Sequence, residues 1–453
     1  MRQNSFTEGK ILGPLVRFML PVLFALCLQA MYGAVDLMVV GWFGAAAEVS
    51  AVSTGSQIMQ TITGVITGLA MGTTIVLGQK LGQKRGDEAG DVIGASIWLF
   101  AGVAVAITAI MLAVASPFAA LMQAPAEAFD QTVAYVRICS AGAVFIVAYN
   151  VLGSVFRGLG DSKTPLLAVG VACVCNIAGD LLFVAVFKMA AAGAALATVL
   201  AQALSVVLCV LVVKKRGLPF PFGRQNVRPH KPLALRVLKL GAPIALQDAL
   251  VSASFLVILA IVNGLGLIAS AGMGVAEKLC GFIMLVPSAF SQSLSAFVAQ
   301  NVGAGQPRRA SRATLYGMLL SFAVGVVMAW LTFFHGDVLA RIFAGDSPDV
   351  VAAAADYLKA YAIDAMLVSF LFCFIGYYNG CGLTRFVMVQ GLCGAFGVRI
   401  PVSFLMSRWQ PVTLFHVGLA TPCSTVVQIV LCVGYFMWMR KKEQKAPSLE
   451  TSA

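Results

Sequence analysis

Charge is scarce in this chain. Asp, Glu, Lys and Arg make up 11% of its 453 residues, where a soluble domain carries about 25%. That shortage excludes a surface covered by water. Histidine is scarcer still. His230, His335 and His416 lie far apart, in or near loops, which argues against a metal site and against an intramembrane hydrolase needing a Ser–His pair. The apolar segments do not alternate with polar residues, so they are not barrel strands. A Walker-type lysine is missing from the glycine-rich FRGLGDSKTP turn, and with it any sign of a nucleotide site. The eleven cysteines are scattered singly, and Cys173 and Cys175 point to different helix faces. Free thiols acting as small hydrophobes fit this pattern better than disulfides. The expectation is a protein that is not an enzyme and carries no cofactor.

What the chain has in abundance is apolar sequence, 60% of all residues. Runs long enough to cross a bilayer recur throughout. The expected fold class is an all-α polytopic membrane protein. We place its twelve transmembrane helices near 13–42, 51–79, 92–114, 130–156, 165–187, 191–213, 235–263, 269–300, 311–334, 353–378, 386–407 and 413–438. The opening MRQNSFTEGKILGPLVRF leads into a helix too long for a signal-peptide core, so the first span is expected to stay in place.

The net charge of +12 sits in short loops. This orients a chain in a membrane and needs no nucleic acid partner. Arg2, Lys10 and Arg17 precede the first span; Lys80, Lys84 and Arg85 follow the second; Arg308, Arg309 and Arg312 follow the eighth; RKKEQK closes the last. The alternate loops hold little beyond Lys188, Arg341 and Arg408. Both termini are therefore expected in the cytoplasm, with the protein in the cell's cytoplasmic membrane.

The chain repeats itself. LGQKLGQKRGDEAG at 77–90 resembles VAQNVGAGQPRRAS at 298–311, VFRGLGDSKTPL at 155–166 resembles YYNGCGLTRFVM at 377–388, and Pro21 has its counterpart in Pro243. Each pair is offset by about 221 or 222 residues. This reads as a duplication of six spans, giving two pseudo-symmetric six-helix lobes of equal orientation, with a substrate path between them. The expected domains are a first lobe at 1–213, a basic linker at 214–233, a second lobe at 234–442 and a polar tail at 443–453. Gly64, Gly68 and Gly72, four apart on the second span, mark a face that another helix can approach closely.

Two acids interrupt apolar spans. Asp36 lies in MYGAVDLMVVGWFG and Asp180 in CNIAGDLLFV. A charge at membrane depth is costly and is functional by default. Gln29, Tyr32 and Asp36 share one face of the first span, and Asn176 shares a face with Asp180. Asp36 lies 19 residues beyond Arg17 and Asp180 lies 17 beyond Lys163, about 28 and 26 Å from the basic edge. The two carboxyls thus stand at one height. Thr198, early in the sixth span, falls at a similar depth. Tyr32, Asp36, Asn176, Asp180 and Thr198 can make one oxygen-rich pocket holding either a proton or Na⁺, the latter on Asp36, Asn176 and Asp180. A purely structural role, in which both acids hydrogen-bond neighbouring helices, remains open at this stage.

The second half does not copy this chemistry. The counterparts of Asp36 and Asp180, near 257 and 401, are not acids. Asp248, Glu277, Lys278, Asp364 and Arg399 lie within spans instead. Gln29, Asp248, Glu277 and Asp364 are candidates for a substrate cavity. Equally, Asp248 with Arg399, or Lys278 with Asp364, can form a structural ion pair.

Taken together, MYGAVDLMVVGWFG, FRGLGDSKTPLL, NIAGD and FVAQNVGAGQPRRA resemble the multidrug and toxic compound extrusion (MATE) family, across nearly the whole chain. The resemblance implies two six-helix lobes in a V shape and antiport of amphipathic organic cations against H⁺ or Na⁺, by a monomer in the lipid bilayer. It also implies a first-lobe cation site on Tyr32, Asp36, Asn176, Asp180 and Thr198. In the second lobe Asp364 matches the family pattern better than Asp248. A lipid-linked precursor flippase is the alternative. It needs several cavity arginines, and the spans offer chiefly Arg399.

Overall fold

Apolar runs of this length have one spanning solution as single segments. With no water in the hydrocarbon layer, each backbone N–H and C=O must be paired within its own segment, and the helix does this. The computed structural model describes residues 6–344 and 347–445, without the side chains of Tyr32 and residues 443–445. The polar tail expected at 443–453 is thus described only as helical backbone up to Lys445. No strand occurs among the described residues.

Among the described residues, eleven single helices are long and apolar enough to span: α1 (Leu12–Phe43), α2 (Ala46–Gly82), α3 (Gly86–Leu121), α5 (Lys163–Val186), α6 (Ala190–Arg216), α7 (Lys231–Asn263), α8 (Leu267–Gly303), α9 (Pro307–Phe334), α10 (Pro348–Gly380), α11 (Thr384–Met406) and α12 (Leu414–Lys442). The twelfth, α4, consists of Ala126–Ala141 and Ala143–Leu159, bent by 53°. Every span read from hydropathy has its helix, the fourth in two segments. The break falls at Gly142, whose missing side chain leaves room for Val199 of α6; a Cβ there would lie 2.4 Å from a Val199 methyl. Two spans also change helical pitch. α5 runs as a π-helical turn over Leu181–Val186, and α11 does so over Ala395–Arg399.

The chain forms two compact units that do not follow sequence order. One comprises Met1–Ala249, Gln292–Thr314 and Gly376–Arg385; the other comprises Leu250–Ser291, Leu315–Ile375 and Phe386–Ala453. The first unit thus takes in the basic ends of α8 and α10 as well as the first six spans. Glycine is the reason. A Cβ on Gly82 would lie 2.0 Å from the Gln300 carbonyl oxygen, and one on Gly303 would lie 2.1 Å from that of Gln79. The two glycines are repeat counterparts, and so are the two glutamines. Each glutamine side chain donates across the repeat: Gln79 Nε2 to the Gly380 carbonyl at 3.2 Å, and Gln300 Nε2 to the Gly158 carbonyl at 2.8 Å.

The glycine face of α2 receives α7. A Cβ on Gly72 would meet the Val237 carbonyl at 2.2 Å, and one on Gly68 would meet Ala245 at 2.7 Å, whereas Gly64 has nothing within 4 Å. The residues before α1 are tied to the same basic end. Phe6 is fully buried, with ring centroids 5.1 Å from Phe18 and 4.8 Å from Phe297. Arg309 donates to the carbonyls of Phe6, Glu8 and Gly9 at 3.0, 2.9 and 2.7 Å. Asn301 also donates to Phe6, at 3.2 Å.

These contacts leave no room for a side chain. Gly82→Val and Gly303→Val should each destabilise the purified protein by about 1–3 kcal/mol or more, the usual cost of overpacking. Gly64→Ala should be neutral or slightly stabilising, because a helix interior favours alanine. Thermal unfolding midpoints in detergent check both: clearly lower for the valine variants and not lowered for Gly64→Ala.

Candidate cation site

The first unit brings Asp36, Asn176, Asp180 and Thr198 together from three helices, α1, α5 and α6. Asp36 is 3% exposed, and Asn176 and Asp180 are fully buried. Thr198 Oγ1 donates to Asp36 Oδ2 at 3.2 Å. The Asp36 carboxyl interacts with both Asp180 and Asn176. Helical period explains the α5 pair, since residues four apart share a face. Close approach explains the meeting of α5 with α6: Gly179 packs on Ala197, where a Cβ would stand 3.0 Å from the alanine methyl. Asp180 ends the α-helical part of α5, and the π-helical turn begins at the next residue. Such turns occur frequently at functional sites.

The polar atoms of this cluster are mostly unmatched. Asp36 Oδ1, both carboxylate oxygens of Asp180 and both amide atoms of Asn176 are buried without a hydrogen-bond partner. Buried polar groups are normally paired, and each exception calls for an explanation. No basic side chain is among the groups that interact with either carboxyl. The ion pairs among the described residues, Lys80–Glu88 and Arg85–Glu88, lie at the basic end. Two acids thus share a buried space with no fixed positive charge among the described residues. Two adjacent carboxylates out of water repel one another, so the fully charged pair is costly unless a cation neutralises it. A proton shared between the carboxyls fits this donor set. Na⁺ fits it as well, since hard cations take carboxylate, amide and hydroxyl oxygens. No group of three or more His, Cys, Asp and Glu suited to a metal occurs among the described residues.

Sequence reasoning missed two neighbours. Tyr135 and Cys139, four apart on the first segment of α4, are 2% and 1% exposed. Both lie within electrostatic range of Asp36, and Tyr135 also of Asp180. Tyr135 is admitted by Gly55 of α2, where a Cβ would stand 2.5 Å from the tyrosine ring. A buried tyrosine in an apolar span was the available signal.

The remaining expected residues are dispersed. Tyr32 lies on α1, but its side chain is outside the described residues. Gln29 is exposed and neighbours Tyr149 rather than the carboxyl pair. Asp248, in the first unit, is exposed. Glu277 and Asp364 belong to the second unit, where Glu277 is part-exposed and borders Tyr357 and Cys280. The pairing of Lys278 with Asp364 does not form: Lys278 is exposed, 5.9 Å from the Phe343 ring centroid, because its register turns it away from the core. Arg399 is buried and donates from Nη1 to Ser254 Oγ at 3.1 Å.

Fold and site together define a multi-pass helical membrane protein of two repeats, with a buried acid pair in the first. The family model MatE matches the chain twice, over residues 21–182 and 243–405. The chain belongs to this family, that of the MATE multidrug efflux transporters. It is 28% identical to "Probable multidrug resistance protein YpnP" of Bacillus subtilis, over 98% of this chain and 99% of that one. It is 23% identical to "Multidrug export protein MepA" of Staphylococcus saprophyticus, over 98% of each. Its fold is that of solved MATE structures. A MOP superfamily transporter from Pyrococcus furiosus superposes with a TM-score of 0.90, and a MATE in complex with MaD3S with 0.89, each at 19% identity over 98% of both chains.

A buried, unpaired carboxyl is a burden to the fold. Asp180→Asn keeps the shape of the side chain and removes its charge. It should leave the thermal unfolding midpoint unchanged or raised, since functional sites commonly trade stability for activity. Asn301→Ala, which removes the bonds to Phe6 and Phe297, should lower that midpoint, at a stability cost of about 1–3 kcal/mol.

Proposed function

We propose that this protein is a cation-coupled antiporter that exports amphipathic organic cations, with H⁺ or Na⁺ as the coupling ion on Asp36 and Asp180. The observation that carries this reading is the buried carboxyl pair with unmatched oxygens and no fixed counter-charge. Membership of a multidrug efflux family, and relatives described as multidrug export proteins, support the substrate class. The basic loops favour cytoplasmic termini by the positive-inside rule. On that orientation the carboxyl pair lies in the outer half of the membrane, where it meets ions from outside.

The work follows from charge. A cation entering the pair satisfies oxygens that are otherwise unmatched, and one unit charge driven through 100 mV supplies about 2.3 kcal/mol. Thr198 orients the Asp36 carboxyl by direct hydrogen bonding, and Asn176 leaves its amide free to meet an entering ion. Alternating access further requires the contacts at the basic end, where Gln79 and Gln300 reach across the repeat, to part and re-form in each cycle.

The test is efflux of a fluorescent organic cation from proteoliposomes, with the pH gradient and the sodium gradient imposed separately. One of the two gradients should drive transport, and that result names the ion. Asp36→Asn and Asp180→Asn should each cut coupled efflux at least tenfold while the protein still inserts. Full efflux by both variants would show that the coupling site lies elsewhere.

A further inference from the structure

The basic end of the first unit carries a strap. Residues 6–10, which precede α1, are held by side chains of α8 and α9 from the second repeat. The Arg309 guanidinium donates through all three of its nitrogens to four backbone carbonyls. Nε reaches Phe6 at 3.0 Å, Nη1 reaches Gly9 at 2.7 Å, and Nη2 reaches Glu8 at 2.9 Å and Lys10 at 3.4 Å. Asn301 Nδ2 donates to the Phe6 carbonyl as well, at 3.2 Å. The four carbonyls converge because the chain turns at Gly9, where φ is +68°, a conformation open to glycine at no steric cost. The Phe6 ring is fully buried. It packs on Phe18 of α1 and Phe297 of α8, and beside Gly160 after α4, where a Cβ would stand 3.3 Å from it. One short segment thus touches helix ends of both repeats, all of them within the first unit.

The repeats use one pair of positions in two ways. Lys80 and Glu88 correspond to Asn301 and Arg309, each 221 residues further on. In the first repeat the two side chains form an ion pair with each other. In the second an arginine stands in the acid's place, and both side chains donate to Phe6 instead. The strap supplies the acceptors that the second repeat lacks. Its hold is also reversible in kind. Glu8, Gly9 and Lys10 are exposed, so water can take over their bonds to Arg309 when the segment leaves.

We propose that residues 6–10 are a latch on the closed basic end. The latch is bound while Gln79 and Gln300 reach across the repeats, and it is released when those bonds part, so its grip on Asn301 and Arg309 sets how often that end opens. The geometry requires this coupling. Parting the repeats draws Phe18 and Gly160 away from Phe297, and the Phe6 ring cannot stay against all three. Contacts made in one state and lost in the other shift the balance between them by their own free energy. The inference rests on the alternating-access reading given above, and its test separates the two.

The measurement is amide hydrogen exchange, read by mass spectrometry on the protein in lipid nanodiscs, since exchange follows the population of the open form. The informative segments are 74–80 of α2 and 376–380 of α10. They share the bond from Gln79 to the Gly380 carbonyl and hold none of the strap's hydrogen-bond partners. Deletion of residues 2–10 should speed exchange in both segments about tenfold or more, and Arg309→Gln should do the same. Gly9→Ala should give a smaller rise, because alanine resists a positive φ although the space around it is open. Faster exchange confined to 297–306, with 74–80 and 376–380 as slow as in the parent protein, would mean that the strap only packs on its neighbours, and overturns the proposal. Should the deletion protein not insert, Arg309→Gln and Gly9→Ala decide in the same way. Exchange needs no transport. If Asp36→Asn and Asp180→Asn keep full efflux, the coupling site is wrong, and the strap variants still decide the latch.

Discussion

The hydrocarbon layer offers no water to a polar atom, and each feature of this structure answers that constraint. It forces the backbone into helices, which pair their own N–H and C=O groups. It also turns every buried charge inward, where protein or a bound ion must meet it. Asp36, Asp180, Asp364 and Arg399 are all nearly or wholly buried, and the two halves meet the constraint differently. Arg399 bonds Ser254, while the Asp36 carboxyl accepts from Thr198 and has Asp180, Asn176, Tyr135 and Cys139 around it.

The second physical theme is close approach. Helices in lipid gain little from hydrophobic contact with one another, so they rely on van der Waals packing and hydrogen bonds, both of which small residues promote. Gly72 against Val237, Gly82 against Gln300 and Gly303 against Gln79 bring backbone to backbone. The crossed bonds of Gln79 and Gln300 then tie the two repeats at their basic ends. Duplication made this possible. The same short motif, present twice, supplies both a glycine to be approached and a glutamine to reach across.

Much of this was legible in the sequence, because much of it is local. The existence of a span depends on the hydropathy of its own residues, and all twelve were readable. Asn176 and Asp180 share a face by helical period alone. The common height of Asp36 and Asp180 followed from counting residues from Arg17 and Lys163. The bend at Gly142 was not legible, since it depends on Val199, far along the chain on another helix. Gly64, Gly68 and Gly72 read alike on one stripe, yet α7 touches two of them and leaves Gly64 open.

The sequence by itself determined the class of the protein: its helices, its duplication, and the two acids too costly to be incidental at that depth. Tertiary structure decided which side chains meet. It added Tyr135 and Cys139 to the neighbourhood of the carboxyls and turned Gln29 and Lys278 outward. It also buried Arg399 against Ser254 and Phe255. Hydropathy and helical period are properties of one segment, whereas a meeting of side chains depends on the rotation and spacing of several helices at once, and those are set by packing between residues far apart in the chain.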